Sequence, residues 1–126
     1  RPAWITGLDH RIDPHTIGAR DLTSIPSAAL AGQKAGISNG KVDVAELDAP
    51  FTYTAPLLTE AFGLGADVSI NPSGGTLNGH TMMAAGLMNI AKVASQIHNG
   101  DVDRGLAHAS SGPLLQQNLA CVLEAK

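Results

Sequence analysis

The segment from His80 to Ile97 carries a single charged side chain, Lys92. Its apolar residues recur at alternating steps of four and three, which places them on one helical face: Met83, Leu87, Ile90, Ala94 and Ile97. A surface helix normally carries charges on its outer side, and this segment has almost none. The pattern therefore predicts a helix over about 80–98 that is buried on both sides, between two sheets or between a sheet and a partner. It places His80 in the first turn, at the deep end of that helix.

The remaining pattern predicts an α/β fold. We expect strands over residues 3–6, 42–47, 104–109 and 115–123, and helices over 26–36 and about 50–63. Residues 8–22 are polar and contain a proline, so we expect a loop there. The order of these elements predicts one domain over residues 1–126, a layered α-β-α arrangement with a mixed sheet.

Composition limits the classes of partner. Apolar residues make up 44% of the chain and aromatic residues only 3%, so small aliphatic side chains must build the core. The net charge is −3 without a basic run, which argues against binding to nucleic acid or to an anionic membrane. No apolar run reaches the roughly 18 residues of a spanning helix. Cys121 is the only cysteine, so no internal disulfide can form, and we expect a cytoplasmic protein.

The most informative segment is the glycine-rich run over residues 71–80, Asn-Pro-Ser-Gly-Gly-Thr-Leu-Asn-Gly-His. Its glycines allow the backbone to approach a ligand closely. At a helix amino terminus, His80 would be biased towards the neutral imidazole, which can donate a hydrogen bond to a developing oxyanion. A tight turn with a capping histidine explains the same spacing and stays open.

This run, followed by Ala84-Ala85-Gly86, resembles the Gly-His-Pro block of the thiolases, closest to the sterol-carrier-protein type and the bacterial lipid-transfer thiolases. Two further blocks stand in the order found in that family. Residues 42–51 resemble the strand-to-helix block with Glu-Leu-His-Asp-Cys-Phe, and residues 105–112 resemble the last active-site block.

The resemblance implies that this chain is the carboxy-terminal half of an enzyme built from two similar halves. That enzyme would transfer the acyl groups of acyl-CoA in lipid metabolism. The nucleophilic cysteine would lie in an amino-terminal thiolase half, so we expect this chain alone to be inactive. A fragment also agrees with a chain that begins at Arg1. The substrate would be a CoA thioester, with no other cofactor and no metal, and we expect a homo-oligomer. Candidate substrate-binding residues are Asn78, Gly79 and Gly112.

Several positions depart from the family pattern. In the strand-to-helix block, Asp48 stands where the family has His or Asn, and Pro50 stands where one version of the block has Cys. In the Gly-His-Pro block, Thr81 replaces the Pro that usually follows the histidine, and Met83 replaces a usual Gly. A family cysteine in the last block corresponds to His108. A Claisen condensation needs a base that removes a proton from the carbon next to the thioester carbonyl. His108 could carry this proton, or could serve as a second hydrogen-bond donor beside His80. Asp48, if desolvated, is the alternative base.

Two other functions stay open. Some thiolase-like proteins are aldolases that use tyrosines without a nucleophilic cysteine, and Tyr53 is the only tyrosine of this chain. The parent would then be a retro-aldol carbon–carbon lyase acting on acyl-CoA side chains. The replaced positions also permit a non-catalytic thiolase-like subunit, in which His108 is an inert strand residue. Cys121 matches no thiolase cysteine, and we expect it in the core.

Overall fold

The computed structural model describes all 126 residues, Arg1–Lys126. The strands are Ala3–Ile12 (β1), Val44–Glu46 (β2), Ser69–Ile70 (β3), Arg104–Ser111 (β4) and Gln117–Ala125 (β5). The α-helices are Pro26–Lys34 (α1), Thr54–Ala61 (α2), Gly75–Asn78 (α3) and Ala85–Asn99 (α4). Three short 3-10 turns cover Ile17–Ala19, Ile37–Asn39 and Met82–Ala84.

The strands form one mixed sheet in the order β1-β5-β4-β2-β3. β5 pairs antiparallel with both β1 and β4, whereas β2 runs parallel to β4 on one side and to β3 on the other. The carboxyl ends of β2, β3 and β4 therefore meet at one edge of the sheet. The sequence did not predict β3, which is only two residues long.

Helices cover both faces of the sheet. Ala45, Leu106 and Val122 belong to the core cluster shared with α1 and α2. Their neighbours Val44, Ala107 and Cys121 point the other way, into a smaller cluster with α4. This alternation is the expected period of a strand buried on both faces, and it confirms the predicted layered α/β class. Cys121 is buried, and desolvation raises the pKa of its thiol to about 11.

β1 is longer than predicted. The prediction of a loop from residue 8 is wrong for residues 8–12, which pair with β5 as far as Ile12. The polar residues that suggested a loop instead pair with each other, since the Arg11 guanidinium holds both carboxylate oxygens of Asp9. Gly7 lies against the backbone of α1, where a β-carbon would stand 1.8 Å from the Ala35 carbonyl oxygen. The close approach of helix and strand therefore requires glycine.

The long helix α4 begins at Ala85, five residues later than predicted, and ends at the expected place, where Gly100 has a φ of 88°. Its buried residues are Ala85, Asn89, Val93 and Ile97, at steps of four. The predicted apolar face was wrong by a partial rotation, because Leu87 is 73% exposed. Within the single chain the sheet covers only one side of the helix, so the predicted burial on both sides requires a partner. None of the helices is both long and apolar enough to cross a membrane.

Candidate functional site

Hydrogen bonds join the segments that follow β2 and β3. The Leu47 N–H donates to the Asn71 side-chain oxygen at 2.6 Å. The Ala49 N–H donates to the Thr76 hydroxyl at 3.0 Å. The segment after β2 contains Asp48 and the segment after β3 is the glycine-rich run. Two of the three blocks singled out in the sequence are therefore held together at the carboxyl edge of the sheet.

A buried carboxylate anchors the glycine-rich run. The Glu46 side chain is fully buried at the end of β2. One of its oxygens accepts the Ser73 N–H at 3.2 Å and the other accepts the Ser73 hydroxyl at 2.7 Å. No cation pairs with Glu46, so neutral donors alone compensate this carboxylate. Because burying an uncompensated carboxylate is costly, these two bonds fix the run in place.

The path of the run depends on left-handed residues. Asn71, Gly74 and Gly75 have φ values of 49°, 91° and 60°. A β-carbon at Gly75 would stand 2.8 Å from the Asn71 amide nitrogen, so a side chain there would displace the residue that bonds Leu47. Glycine is needed at this position for both conformation and space.

His80 does not lie in the first turn of a helix. It follows α3 in an exposed connection, and Met82, with a φ of 50°, breaks the chain direction before the helix begins at Ala85. The prediction that His80 opens the long helix is therefore wrong, and the argument from the amino terminus of that helix does not apply to this residue. Asn78 and Gly79 are exposed beside it, and Gly79 has open space on its α-carbon. The three residues form one accessible loop next to Asp48's segment.

Asp48 is buried with one carboxylate oxygen occupied. The Ser110 N–H and hydroxyl donate to Asp48 Oδ2 at 3.1 and 2.8 Å. Asp48 Oδ1 is buried and has no hydrogen-bond partner in the chain. The side chain is only 4% exposed. Buried polar atoms are nearly always paired, so this oxygen, which exposes less than 1 Å² in the chain, is an exception among the buried polar groups of the fold.

His108 is buried in β4 with both ring nitrogens occupied. The Asp48 N–H donates to His108 Nδ1 at 3.2 Å, which assigns the proton to Nε2. Nε2 then donates to the Asn118 side-chain oxygen at 2.9 Å. The ring edge of His108 contacts Phe62 at a centroid distance of 5.4 Å. Desolvation lowers the pKa of His108 to about 4, against smaller opposing effects of Asn118 and Asp48.

A chain of hydrogen bonds continues from His108 through the core. The Asn118 amide donates to the Ser27 hydroxyl at 2.7 Å, and that hydroxyl donates to an Asp13 oxygen at 2.6 Å. The Asn89 amide holds the His108 carbonyl oxygen at 2.9 Å from the opposite face of the sheet. These contacts fix His108 as a neutral ring of one tautomer. They favour a role in positioning the Asp48 backbone over a role in carrying protons.

A cavity of about 280 Å³ is lined by Ser110, Tyr53 and Gly112, among others. Ser110 bonds the buried Asp48 carboxylate, which is not itself part of the wall. The Tyr53 ring stacks on Phe51 at 5.8 Å with the planes 4° apart. Gly112 has a φ of 74°, where a side chain would strain the turn that closes the cavity. Two residues predicted from sequence, Tyr53 and Gly112, therefore line the same cavity as Ser110.

The predicted residues thus fall into two neighbouring groups. Asp48, His108, Tyr53 and Gly112 lie around the ends of β2 and β4. In the second group, Asn78 ends α3, and Gly79 and His80 follow it in an exposed connection.

The sequence reading missed Glu46, Ser110 and Asn118. Ser110 stands two residues after His108 and so shares its face of the strand, which is a usable signal. Nothing local in the sequence marks Asn118, because its contact with His108 depends on the pairing of β4 with β5.

The chain matches no protein-family model and no curated protein. No group of three or more His, Cys, Asp or Glu side chains is arranged to hold a metal ion. The likeness to thiolases therefore depends on the three sequence blocks themselves, and function has to be argued from the geometry of the site.

Proposed function

We propose that this chain is the carboxy-terminal half of a thiolase-like enzyme that transfers acyl groups to or from a carbon atom of acyl-CoA. The observation that carries the proposal is the orphan Oδ1 of Asp48, buried where the three thiolase-like blocks approach one another. The amino-terminal half would supply the nucleophilic cysteine and complete a homo-oligomeric, cytoplasmic enzyme.

In this reaction Asp48 is the base. Ser110 orients the carboxylate through Oδ2. The proposal requires that Oδ1, which is buried in the free chain, becomes accessible when substrate binds and then accepts a proton from the carbon next to the thioester carbonyl. The electron pair left on that carbon attacks the acyl group held as a thioester on the cysteine. A carbon–carbon bond forms, the carbon–sulfur bond breaks, and the cysteine leaves as thiolate. His108 contributes by holding the Asp48 N–H, so the base keeps its position.

His80 is the proposed hydrogen-bond donor to the thioester oxygen. It is exposed, and no hydrogen bond within the chain occupies its ring. Such a donor stabilises negative charge that develops on the oxygen in the transition state. Asn78 and Gly79 belong to the same accessible loop and are the proposed contacts to the rest of the thioester.

Tyr53 supports a second candidate, the retro-aldol lyase. Its ring lies in the wall of the cavity that Ser110 also lines, and its hydroxyl has no partner in the chain. In this reaction Asp48 removes the proton of the β-hydroxyl, and the carbon–carbon bond breaks to give a carbonyl compound and a thioester enolate. The Tyr53 phenol then protonates the enolate carbon, which gives the thioester product.

The test compares variants in the protein that contains both halves. Thiolysis of acetoacetyl-CoA and cleavage of a β-hydroxyacyl-CoA are both measured. We expect Asp48→Asn to lower thiolysis by about 10²–10⁴, and His80→Ala by about 10²–10³ with little change in KM. Asp67→Asn, an exposed carboxylate away from the site, is the control and should leave the rate unchanged.

The outcomes separate the three functions. Loss of thiolysis in both site variants supports acyl transfer. If the natural protein shows no thiolysis but cleaves β-hydroxyacyl-CoA, and Tyr53→Phe abolishes that cleavage, the protein is a lyase and acyl transfer is wrong. If no acyl-CoA reaction responds to any of these substitutions, the chain is a non-catalytic subunit and the enzymatic proposal is wrong.

A further inference from the structure

Every Asn-Gly pair of the chain is exposed. In such a pair the main-chain nitrogen of the glycine can attack the side-chain amide carbon of the asparagine. Glycine favours this attack because it has no β-carbon that would shield its nitrogen or restrict its rotation. Since exposure does not distinguish the pairs, the way each backbone is held decides which of them reacts. The pairs are Asn39–Gly40, Asn78–Gly79 and Asn99–Gly100.

The pair at the end of α4 is closed to this reaction. The Gly100 N–H donates to the Ile97 carbonyl at 3.1 Å and also to the Gln96 carbonyl. To attack, the Gly100 nitrogen would have to leave both carbonyls, and the last turn of a 15-residue helix would have to unwind. Asn99 is therefore protected by the cap of its own helix.

A buried arginine holds the pair before β2. The Arg104 guanidinium donates to the Gly36 carbonyl at 2.6 Å and to the Gly40 carbonyl at 2.7 Å, on either side of Asn39. The Asn39 N–H also donates to the Gly36 carbonyl, at 3.0 Å. Arg104 is only 7% exposed. Turning Gly40 towards the Asn39 side chain would break charge-assisted bonds of a buried cation, so this pair is protected as well.

No such contact holds the pair after α3. The Gly79 N–H and carbonyl make no hydrogen bond within the chain. A β-carbon on Gly79 would meet nothing within 4 Å, so this residue has room to turn. The Asn78 side chain rests over Gly74, where a β-carbon would stand 3.1 Å from the Asn78 amide carbon. The Gly79 nitrogen is therefore free to approach the amide carbon of its neighbour.

We propose that Asn78 is a site of spontaneous deamidation. The Gly79 nitrogen forms a bond to the Asn78 side-chain carbon and loses its proton, and the side-chain amide nitrogen leaves as ammonia. Water then opens the resulting cyclic imide at either of its carbonyl carbons. Attack at the side-chain carbonyl gives aspartate. Attack at the main-chain carbonyl gives isoaspartate, in which the main chain runs through the former side chain.

Either product places a carboxylate directly before Gly79 and His80, in the loop that is proposed to contact the thioester. A negative charge at this position opposes the negative charge that develops on the thioester oxygen. The protein should therefore lose activity as Asn78 converts. This consequence rests on the proposed function, whereas the modification itself does not.

The experiment follows all three pairs in one sample. The chain is incubated at mildly alkaline pH, digested with trypsin and analysed by tandem mass spectrometry, with chromatography that separates aspartate from isoaspartate. We expect Asn78 to convert at least several times faster than the other two asparagines. Comparable rates, or faster conversion of another pair, would overturn the inference. Trypsin places the pairs in different peptides, residues 35–41, 42–92 and 93–104.

Two controls separate the effect of the fold from that of the sequence. In urea the three pairs should convert at similar rates, because the helix cap and the arginine contacts are lost; an unchanged preference for Asn78 would contradict protection by the fold. In Gly79→Val the branched side chain shields the nitrogen and meets nothing in the fold. Conversion of Asn78 should then slow severalfold, with the other pairs unaffected, and an unchanged rate would rule out attack by this nitrogen.

The variant Asn78→Asp carries one product of the reaction and separates this inference from the proposed function. In the protein that contains both halves, it should lower thiolysis of acetoacetyl-CoA by about tenfold or more. If Asn78 converts fastest but Asn78→Asp retains full thiolysis, the modification site stands and the placement of the loop at the thioester is wrong. If Asn78→Asp loses thiolysis but Asn78 does not convert, the proposed function stands and the modification site is wrong.

Discussion

The buried imidazole of His108 should make the fold sensitive to acid. Its pKa is about 4 in the folded chain, whereas an exposed histidine has a pKa near 6.5. The unfolded chain therefore binds the proton more tightly than the folded chain. The stabilisation from keeping His108 neutral is complete above about pH 6.5 and is lost as the pH falls towards 4.

The magnitude follows from the two pKa values. Each unit of difference corresponds to about 1.4 kcal/mol, so the complete loss is about 3 kcal/mol. Most of it falls within an accessible range, since the free energy of unfolding should drop by about 2 kcal/mol between pH 7 and pH 5. This loss is a large part of the stability of an ordinary domain.

The assay is urea unfolding at several pH values for the natural chain and for His108→Gln. Glutamine can accept from the Asp48 N–H or donate to Asn118, and it does not titrate. Carboxylates also contribute to the pH dependence, so the informative quantity is the difference between the two curves. His10→Gln, on the exposed edge strand, is the control and should keep the natural slope. Parallel curves for the natural chain and His108→Gln would refute the assignment of His108 as a buried neutral ring.

Three further outcomes are expected. Gly7→Ala should lower the free energy of unfolding by about 3 kcal/mol, because the added methyl group would collide with the Ala35 carbonyl oxygen. In the control Gly18→Ala the added methyl group contacts nothing, so the free energy of unfolding should change by less than about 0.5 kcal/mol. Equal effects of the two substitutions would contradict the close approach of α1 and β1. Asn118→Leu should cost about 3 kcal/mol by leaving its buried partners unpaired, and a smaller loss in urea melts would mean that the chain of bonds is not formed. The isolated chain should show no thiolysis of acetoacetyl-CoA. It should also self-associate through exposed apolar residues such as Leu87, and a monomer at high concentration in analytical ultracentrifugation would contradict this prediction.

The sequence predicted the strands that are buried on both faces and the helices whose apolar residues recur with a helical period. β2 and β4 were found because their apolar runs reflect helices on both faces of the sheet. β1 was cut short because an edge strand exposes polar residues, and its charged pair of Asp9 and Arg11 looks like a loop. The start of α4 was misplaced because the left-handed φ of Met82 has no marker in the sequence.

The sequence singled out some residues of the candidate site but none of the contacts between them. Asp48 and His108 were singled out because they replace residues of a family block. Their mutual arrangement depends on β2 lying beside β4, which brings together residues 60 positions apart. The partner of the histidine, Asn118, comes from a third strand. Roles that depend on which nitrogen is occupied or which oxygen is free could only be assigned from such non-local contacts.

These contacts bear on the choice between the two candidate bases, Asp48 and His108, that the sequence left open. A proton arriving at His108 would have to displace the Asp48 N–H from Nδ1 and would leave a cation in a fully buried position. Asp48 Oδ1, in contrast, has no hydrogen-bond partner that would have to be displaced. The hydrogen bonds of the two side chains therefore favour Asp48 over His108 as the base of the proposed reaction. The bond that occupies His108 Nδ1 also fixes the backbone of Asp48, so in the proposed reaction the histidine positions the base and does not carry the proton.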